Sequence, residues 1–158
     1  MIDLEQLLTY LTLISVPIGV FYHVLTLRNQ NISRQIQIIK GAKILGEDPV
    51  WKVYAYDTSN SDEFESKLYE PDSDIRKPFY DYFNSLEELG MYLREGVLNI
   101  RYVYLLGGGS IITIWEKYEG INKKLREEMG SRFLTEAEYL YQKIKEYVKK
   151  HPELAPDR

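Results

Sequence analysis

The chain has 158 residues, 44% of them hydrophobic and 28% charged, which suits one packed domain. It has no cysteine and only two histidines, which excludes disulfides, cysteine nucleophiles, thiolate or His-rich metal sites and His-based triads. The net charge of −4 is uneven: residues 1–27 carry −2 and residues 28–46 carry +4, which leaves −6 for residues 47–158. Because this acidic part would repel phosphates, we expect no nucleic-acid partner.

An apolar run near the N-terminus predicts a membrane helix. Residues 7–27, LLTYLTLISVPIGVFYHVLTL, contain no formally charged side chain. As a helix the run would be roughly 32 Å long, close to the thickness of the hydrocarbon core of a bilayer. Tyr10 and Tyr22 lie towards its two ends, where tyrosine suits the membrane interface. The first segment, residues 1–27, is therefore predicted to be a short N-terminus and a transmembrane helix.

A cleaved signal peptide is the alternative, and it would need a basic start, a shorter apolar core and a small-residue cleavage site. Here the start carries Asp3 and Glu5, and RNQNISRQ follows the run. We therefore expect a single-pass protein of the cell membrane. Since cations follow the run and none precedes it, its N-terminus would lie outside and its C-terminal domain in the cytoplasm. His23 could be an intramembrane proton or ligand site, or a side chain at the membrane interface. We favour the interfacial interpretation.

The basic residues that follow the run predict a juxtamembrane stalk over residues 28–46. Ile32, Ile36 and Ile39 keep the helical spacing, and Gly46 is a candidate helix stop. The candidate membrane-surface contacts are Arg28, Arg34, Lys40 and Lys43. Each would contribute about 1 kcal/mol at best near anionic headgroups, so the expected partner is the lipid bilayer without a specific lipid site.

Residues 47–151 are predicted to form a cytoplasmic helical domain, with a polar tail at 152–158. Apolar residues recur there every three or four positions, and Gly90 lies on one such apolar stripe, where it permits close helix contact. The segment WKVYAYD alternates like a strand, but Asp48-Pro49 before it is a good helix start, so both readings stay open. The predicted helices cover residues 62–69, 75–95, 111–125 and 133–148, with stops at Gly96 and Gly130. The predicted fold is all-α, a compact bundle of four to six helices after the membrane helix and stalk.

Three glycines interrupt the pattern in LLGGGSIITIWEKYEG, residues 105–120. If residues 100–106 were a strand, the outline would be that of a phosphate-binding loop. The candidate anion-binding residues at the helix start would be Gly108, Gly109 and Ser110. The Lys-Ser/Thr pair and the spaced glycine fingerprint of such loops are absent, and the nearest cation, Lys117, lies two turns along. We therefore favour a tight junction between two helices.

The stretch FNSLEELGMYLREGVLNIRYVYLLGGGSIITIWEKY, together with the apolar N-terminal run, resembles the domain-of-unknown-function family 4760. The shared features are an Arg-x-Gly helix end at residues 94–96, a VY-L-GG segment at 103–108 and WEK at 115–117. The resemblance covers about residues 79–118. It implies an all-helical cytoplasmic domain on a membrane anchor, and it implies no activity.

Glu116 is the one carboxylate considered for catalysis. A partly buried Glu116 beside Trp115 could act as an acid or base through a raised pKa, but an ion pair with Arg94 or Arg101 is the simpler expectation. The sequence has no EF-hand, His-Glu metal motif or nucleophile elbow. We therefore expect no catalytic residue, no metal and no cofactor.

The predicted function is a membrane-tethered, non-enzymatic interaction or regulatory module. Fourteen tyrosines suit the edge of a core or an interface, so the expected partner is another protein or a second copy of the chain. One alternative is an accessory subunit of a larger membrane complex, in which the apolar helix packs against other spans. The other is an anion or small-molecule sensor at the GGGS segment.

Overall fold

A computed structural model describes residues 3–42, 48–58 and 61–154. All regular structure in these residues is helical, which confirms the all-α prediction and leaves WKVYAYD largely within a helix. The helices are α1 (Leu4–Gly41), α2 (Asp48–Ala55), α3 (Ser61–Tyr69), α4 (Arg76–Arg94), α5 (Ile100–Val103), α6 (Gly109–Met129) and α7 (Thr135–Lys150), with a π-helical segment at Tyr104–Gly108 and a 3₁₀ turn at Pro152–Leu154. They form two compact units, Met1–Ile36 and Gln37–Arg158.

The first unit consists mainly of α1, whose apolar run is exposed. Tyr22, for example, is 71% exposed. Thr12 Oγ1 donates to the Leu8 carbonyl and Thr26 Oγ1 to the Tyr22 carbonyl, both at 2.9 Å, so these hydroxyls are satisfied inside their own helix. Among the described residues, α1 is the one helix long and apolar enough to span a membrane, judged by length and composition.

The second unit begins within α1. Ile39 is fully buried and Ala42 is 8% exposed, and both belong to the core of this unit. The sequence placed the start of the helical domain at residue 47, whereas the compact unit starts at Gln37. The last turn of α1 is therefore part of the domain rather than of a separate stalk. The predicted helix stop at Gly46 lies outside the described residues.

Helix α2 is held at its C-terminal end by side chains from α6. The Tyr118 hydroxyl donates to the Val53 carbonyl at 2.7 Å, and Lys117 Nζ donates to the carbonyls of Tyr54, at 2.6 Å, and Tyr56. The last carbonyls of a helix lack partners within the helix, so these bonds satisfy groups that would otherwise need water. Burial lowers the pKa of Lys117.

Aromatic rings fill the centre of the second unit. The ring centroids of Phe79 and Phe83 on α4 lie 4.6 Å apart, and Tyr118 lies 5.4 Å from Phe79. Phe64 of α3 lies 5.2 Å from Tyr118. The rings meet in tilted and edge-on arrangements, which aromatic pairs prefer. Burial raises the pKa of Tyr118, so its hydroxyl keeps the proton that it donates to α2.

Helices α4 and α7 approach each other closely at Gly90. A Cβ added to Gly90 would lie 2.5 Å from the carbonyl carbon of Glu136 and closer still to its oxygen. The Glu136 side chain accepts a hydrogen bond from Arg94 Nε at 2.6 Å, and the Arg94 guanidinium lies 4.0 Å from the Tyr139 ring centroid. The prediction that Gly90 permits close helix contact is thus confirmed.

The start of α7 is held by α4 and α6, and its cap comes from α4 rather than from the residue that precedes the helix. Leu134 precedes α7 with a positive φ of 55° and makes no side-chain cap. Glu87 of α4 instead accepts a hydrogen bond from the Ala137 N–H at 2.7 Å. Arg126 of α6 donates to the carbonyls of Phe133, at 2.9 Å, and Leu134, at 3.2 Å. A carboxylate at this end also complements the helix dipole.

The two glycine stops predicted from the sequence are confirmed. Helix α4 is followed by Gly96 with a φ of 70°, and α6 by Gly130 with a φ of 106°. A positive φ carries little steric cost for glycine, which explains why the helices end there.

Candidate functional site

The glycine segment lies inside one uninterrupted helical stretch, residues 100–129, which contains α5, the π-helical segment and α6. Val103, Gly108 and Gly109 all have right-handed helical backbone angles. The interpretation of the glycines as a junction between two separate helices is therefore wrong. The extra residue of a π-turn is accommodated without breaking the helix, and such turns are frequent at functional sites.

The predicted anion site at Gly108, Gly109 and Ser110 required a helix to begin there, and in this structure no helix begins at these residues. Only the first N–H groups of a helix lack a partner within it. The helical stretch starts ten residues before Ser110, where Asn99 Oδ1 accepts a hydrogen bond from the Arg101 N–H at 2.9 Å. The three candidate residues thus lie together, as the sequence predicted, but in the body of a helix.

Gly108 has a packing role instead. A Cβ there would overlap the Tyr104 ring and come within 3.1 Å of its Cγ, whereas a Cβ on Gly109 would meet nothing within 4 Å. The Tyr104 ring packs at 5.6 Å from Tyr147 of α7, and its hydroxyl donates to the Leu154 carbonyl. The π-turn therefore fixes Tyr104 against the C-terminal part of the domain.

Glu116 forms a surface ion pair, and its predicted partner was wrong. Its Oε1 accepts hydrogen bonds from Lys145 Nζ at 3.2 Å and from the Tyr141 hydroxyl at 3.1 Å. Arg94, one of the two expected partners, binds Glu136 instead. Burial is the main cause that raises the pKa of Tyr141. The adjacent Trp115 ring stacks on Tyr141 at 5.5 Å between centroids, so the neighbourhood of Glu116 is a packed helix contact.

The predicted membrane-surface cations lie along the second half of α1. Arg28, Arg34 and Lys40 are all exposed, and Lys43 lies outside the described residues. Their spacing of six residues turns each about 120° from the next around a helix, so they do not share one face. Contact with lipid stays a prediction.

A cleft beside α6 and α7 was missed by the sequence reasoning. It has a volume of about 300 Å³ and includes Trp115 and Asn122 in its lining. The available signal was an asparagine on an apolar stripe: Asn122 follows Trp115 by seven residues and Tyr118 by four. Within the described residues, no group of three or more His, Asp or Glu side chains is arranged to hold a metal ion.

Comparison with known proteins places the chain in a family. The family described as Domain of unknown function (DUF4760) matches residues 14–144. No curated protein matches the chain, and no solved structure does. The family match includes the 79–118 region and extends it into the apolar run of α1 on one side and most of α7 on the other. A match over so much of the chain shows that it belongs to the DUF4760 family.

Proposed function

We propose that the chain is a single-pass, membrane-tethered interaction or regulatory module without enzymatic activity. Its α1 would cross the membrane with the N-terminus outside, and the second unit would lie in the cytoplasm. The observation that carries this proposal is the exposure of the charge-free run in α1, on all sides of the helix. An apolar surface of that extent is normally shielded from water by lipid or by another protein. The length of the helical run suits the hydrocarbon core of a bilayer.

Two further observations support the anchor. The family match starts at residue 14, inside the apolar run, so the run from residue 14 onwards is part of the family's common domain. The exposed Arg28 and Arg34 follow the run, and Asp3 precedes it. That asymmetry favours retention of the following segment in the cytoplasm.

Exposed aromatic side chains on α2 provide the surface for a protein partner. Trp51 is 60% and Tyr54 46% exposed, and their rings meet edge to face at 6.2 Å. Tryptophan and tyrosine are enriched among residues that dominate binding energy at interfaces. We propose that this α2 pair contacts the partner or a second copy of the chain.

Crosslinking of the full-length chain in its native membrane tests the interaction. We expect attached proteins to be recovered with the native chain and lost with the double variant Trp51→Ser, Tyr54→Ser. The matched control is Met129→Ser, which removes another exposed apolar side chain, 57% exposed. Equal recovery from all three chains would reject the α2 pair as the contact.

Topology needs a separate experiment. Protease added outside intact cells should leave the second unit intact and should degrade it only after the membrane is permeabilised. Cleavage of the second unit in intact cells would contradict the proposed orientation, and release of the chain from membranes by high salt alone would contradict the anchor.

A second candidate, an accessory subunit of a larger membrane complex, is favoured by a stripe of small and polar residues on α1. The stripe consists of Thr12, Ser15, Gly19, His23 and Thr26. At 100° per residue these positions fall within an arc of about 80°. A Cβ on Gly19 would meet nothing within 4 Å, so this face has room for another helix. Small residues allow membrane helices to approach closely.

The stripe can be tested by two substitutions in the same helix. Gly19→Leu fills the small-residue face, whereas Ile14→Phe enlarges a side chain on roughly the opposite face. An accessory subunit should lose co-purification of its complex with Gly19→Leu and keep it with Ile14→Phe. Loss with both variants, or with neither, would remove the reason for preferring this candidate.

A further inference from the structure

A groove along α7 is lined by apolar and aromatic side chains from three helices. Leu93 of α4, Ile100 of α5, and Tyr139 and Tyr147 of α7 line a volume of about 270 Å³. All four residues are half-buried. This α7 groove shares no lining residue with the cleft beside α6 and α7. Its volume is just below that of the usual site for a drug-sized ligand, so it suits a smaller molecule.

Neighbouring side chains already hold the two tyrosine rings of the α7 groove. The Arg94 guanidinium carbon lies 4.0 Å from the Tyr139 ring centroid, and Lys143 Nζ lies 5.8 Å from the same centroid. The ring centroids of Tyr147 and Tyr104 lie 5.6 Å apart. Because these contacts order the rings before anything binds, an occupant would lose little further entropy on their account.

The charged groups of the α7 groove leave an excess of positive charge. Lys143 Nζ donates to Glu146 Oε2 at 2.7 Å, so these two charges offset each other. Lys143 and, more weakly, Lys150 lower the pKa of Glu146, so Lys150 lies near the same carboxylate. Lys150 itself makes no hydrogen bond or salt bridge in the part of the chain that the structure describes. The excess is local, because residues 47–158 together carry a net charge of −6.

The polar groups that remain available in the α7 groove are hydrogen-bond donors. Tyr147 and Lys150 are three residues apart and therefore neighbours on one face of α7. Like the ammonium of Lys150, the Tyr147 hydroxyl has no hydrogen-bond partner among the described residues. An ammonium only donates, and a phenol hydroxyl can donate. A negatively charged acceptor joined to an apolar body would therefore complement the groove in both charge and polarity.

We propose that the α7 groove binds a small organic acid, a carboxylate attached to an aromatic or branched apolar body. The carboxylate accepts hydrogen bonds from Lys150 and from the Tyr147 hydroxyl, and the apolar body packs against Leu93 and Ile100. The site goes beyond the proposed interaction function and does not depend on it, because its residues lie outside both α1 and the α2 pair.

Calorimetry on the full-length chain in phosphatidylcholine nanodiscs tests the site, with empty nanodiscs as the blank for partitioning into lipid. The probe is 2-naphthoate. Its controls are 2-naphthamide, which keeps the rings without the charge, and acetate, which keeps the charge without the rings. We expect saturable binding of 2-naphthoate in the millimolar range, about three- to fivefold weaker binding of 2-naphthamide, and no measurable binding of acetate.

Two adjacent lysines provide matched variants. Lys149 and Lys150 are both exposed at the end of α7, and only Lys150 lines the groove. We expect Lys150→Gln to weaken 2-naphthoate binding about three- to fivefold and to leave 2-naphthamide binding unchanged. Lys149→Gln should change 2-naphthoate binding by less than about twofold in about 0.15 M salt, which screens distant charges. Neither lysine makes a hydrogen bond among the described residues, so both variants should fold, which circular dichroism checks.

Three outcomes would overturn the proposal. One is the absence of saturable binding of 2-naphthoate to the native chain. Another is equal binding of 2-naphthoate and 2-naphthamide, since the groove then does not recognise the negative charge. The third is an equal effect of Lys150→Gln and Lys149→Gln on 2-naphthoate binding, since the carboxylate then does not bind at Lys150.

Discussion

Two glycine-containing regions of the second unit show how differently the same residue is used. The single Gly90 sits where α4 meets the backbone of α7, with no space for a side chain. The run at residues 107–109 is far more conspicuous in the sequence, yet Gly109 faces open space, and the atoms nearest to a Cβ on Gly108 belong to the ring of Tyr104. What constrains a glycine is the group that faces it, backbone in one case and a side chain in the other.

The substitution Gly90→Ala should have the largest effect. Its Cβ would overlap the backbone of Glu136, which cannot move without displacing α7. We expect a loss of about 3 kcal/mol or more in the free energy of unfolding, at the upper end of overpacking costs. Thermal unfolding of the full-length chain in detergent, followed by circular dichroism, measures it. An unchanged melting temperature would mean that α4 and α7 are farther apart than described.

Gly108→Ala should have the second largest effect on stability, because its Cβ would meet a side chain rather than the backbone. The Tyr104 ring would have to move, weakening its contacts with Tyr147 and Leu154. We expect a loss of about 1–2 kcal/mol. Combining Gly108→Ala with Tyr104→Ala provides the control. If the ring causes the clash, the double variant should be no less stable than Tyr104→Ala alone.

Glu87→Gln tests the α4–α7 contact without a steric change. The carboxylate accepts the Ala137 N–H and complements the positive end of the α7 dipole, whereas a neutral amide gives a weaker bond. We expect a loss of about 0.5–1 kcal/mol, measured by chemical denaturation. Glu127→Gln, the same change on the exposed face of α6, should leave stability within about 0.5 kcal/mol of the native chain. Equal effects of both variants would contradict the cap.

Gly109→Ala should have the smallest effect and the opposite sign. The position is helical and open, so alanine lowers the entropy of the unfolded chain without a clash. We expect a gain of up to about 1 kcal/mol in the free energy of unfolding. A loss at this position would show that Gly109 is needed for something other than packing within the chain, and binding would then have to be tested there again.

Local signals predicted much of this fold. Gly96 and Gly130 were identified as helix stops and Gly90 as a contact, because each depends on spacing along one helix. The π-turn was not predicted, since no residue type specifies it and the glycines suggested a break. The predicted partners of Glu116 were wrong because its actual partner, Lys145, lies 29 residues away in the sequence, on another helix. Asn122 was missed because the lack of a hydrogen-bond partner for its amide depends on how the helices pack.

The contacts around the start of α7 bear on the order in which the domain assembles. Arg126 bonds to Phe133, Leu134 and Glu138, at most 12 residues away, whereas the bond between Glu87 and Ala137 spans 50 residues. Short loops cost less entropy to close, so we expect the α6–α7 hairpin to form in the folding nucleus and α4 to dock later. Substitutions of Arg126 should then mainly slow folding, while those of Gly90 should mainly accelerate unfolding.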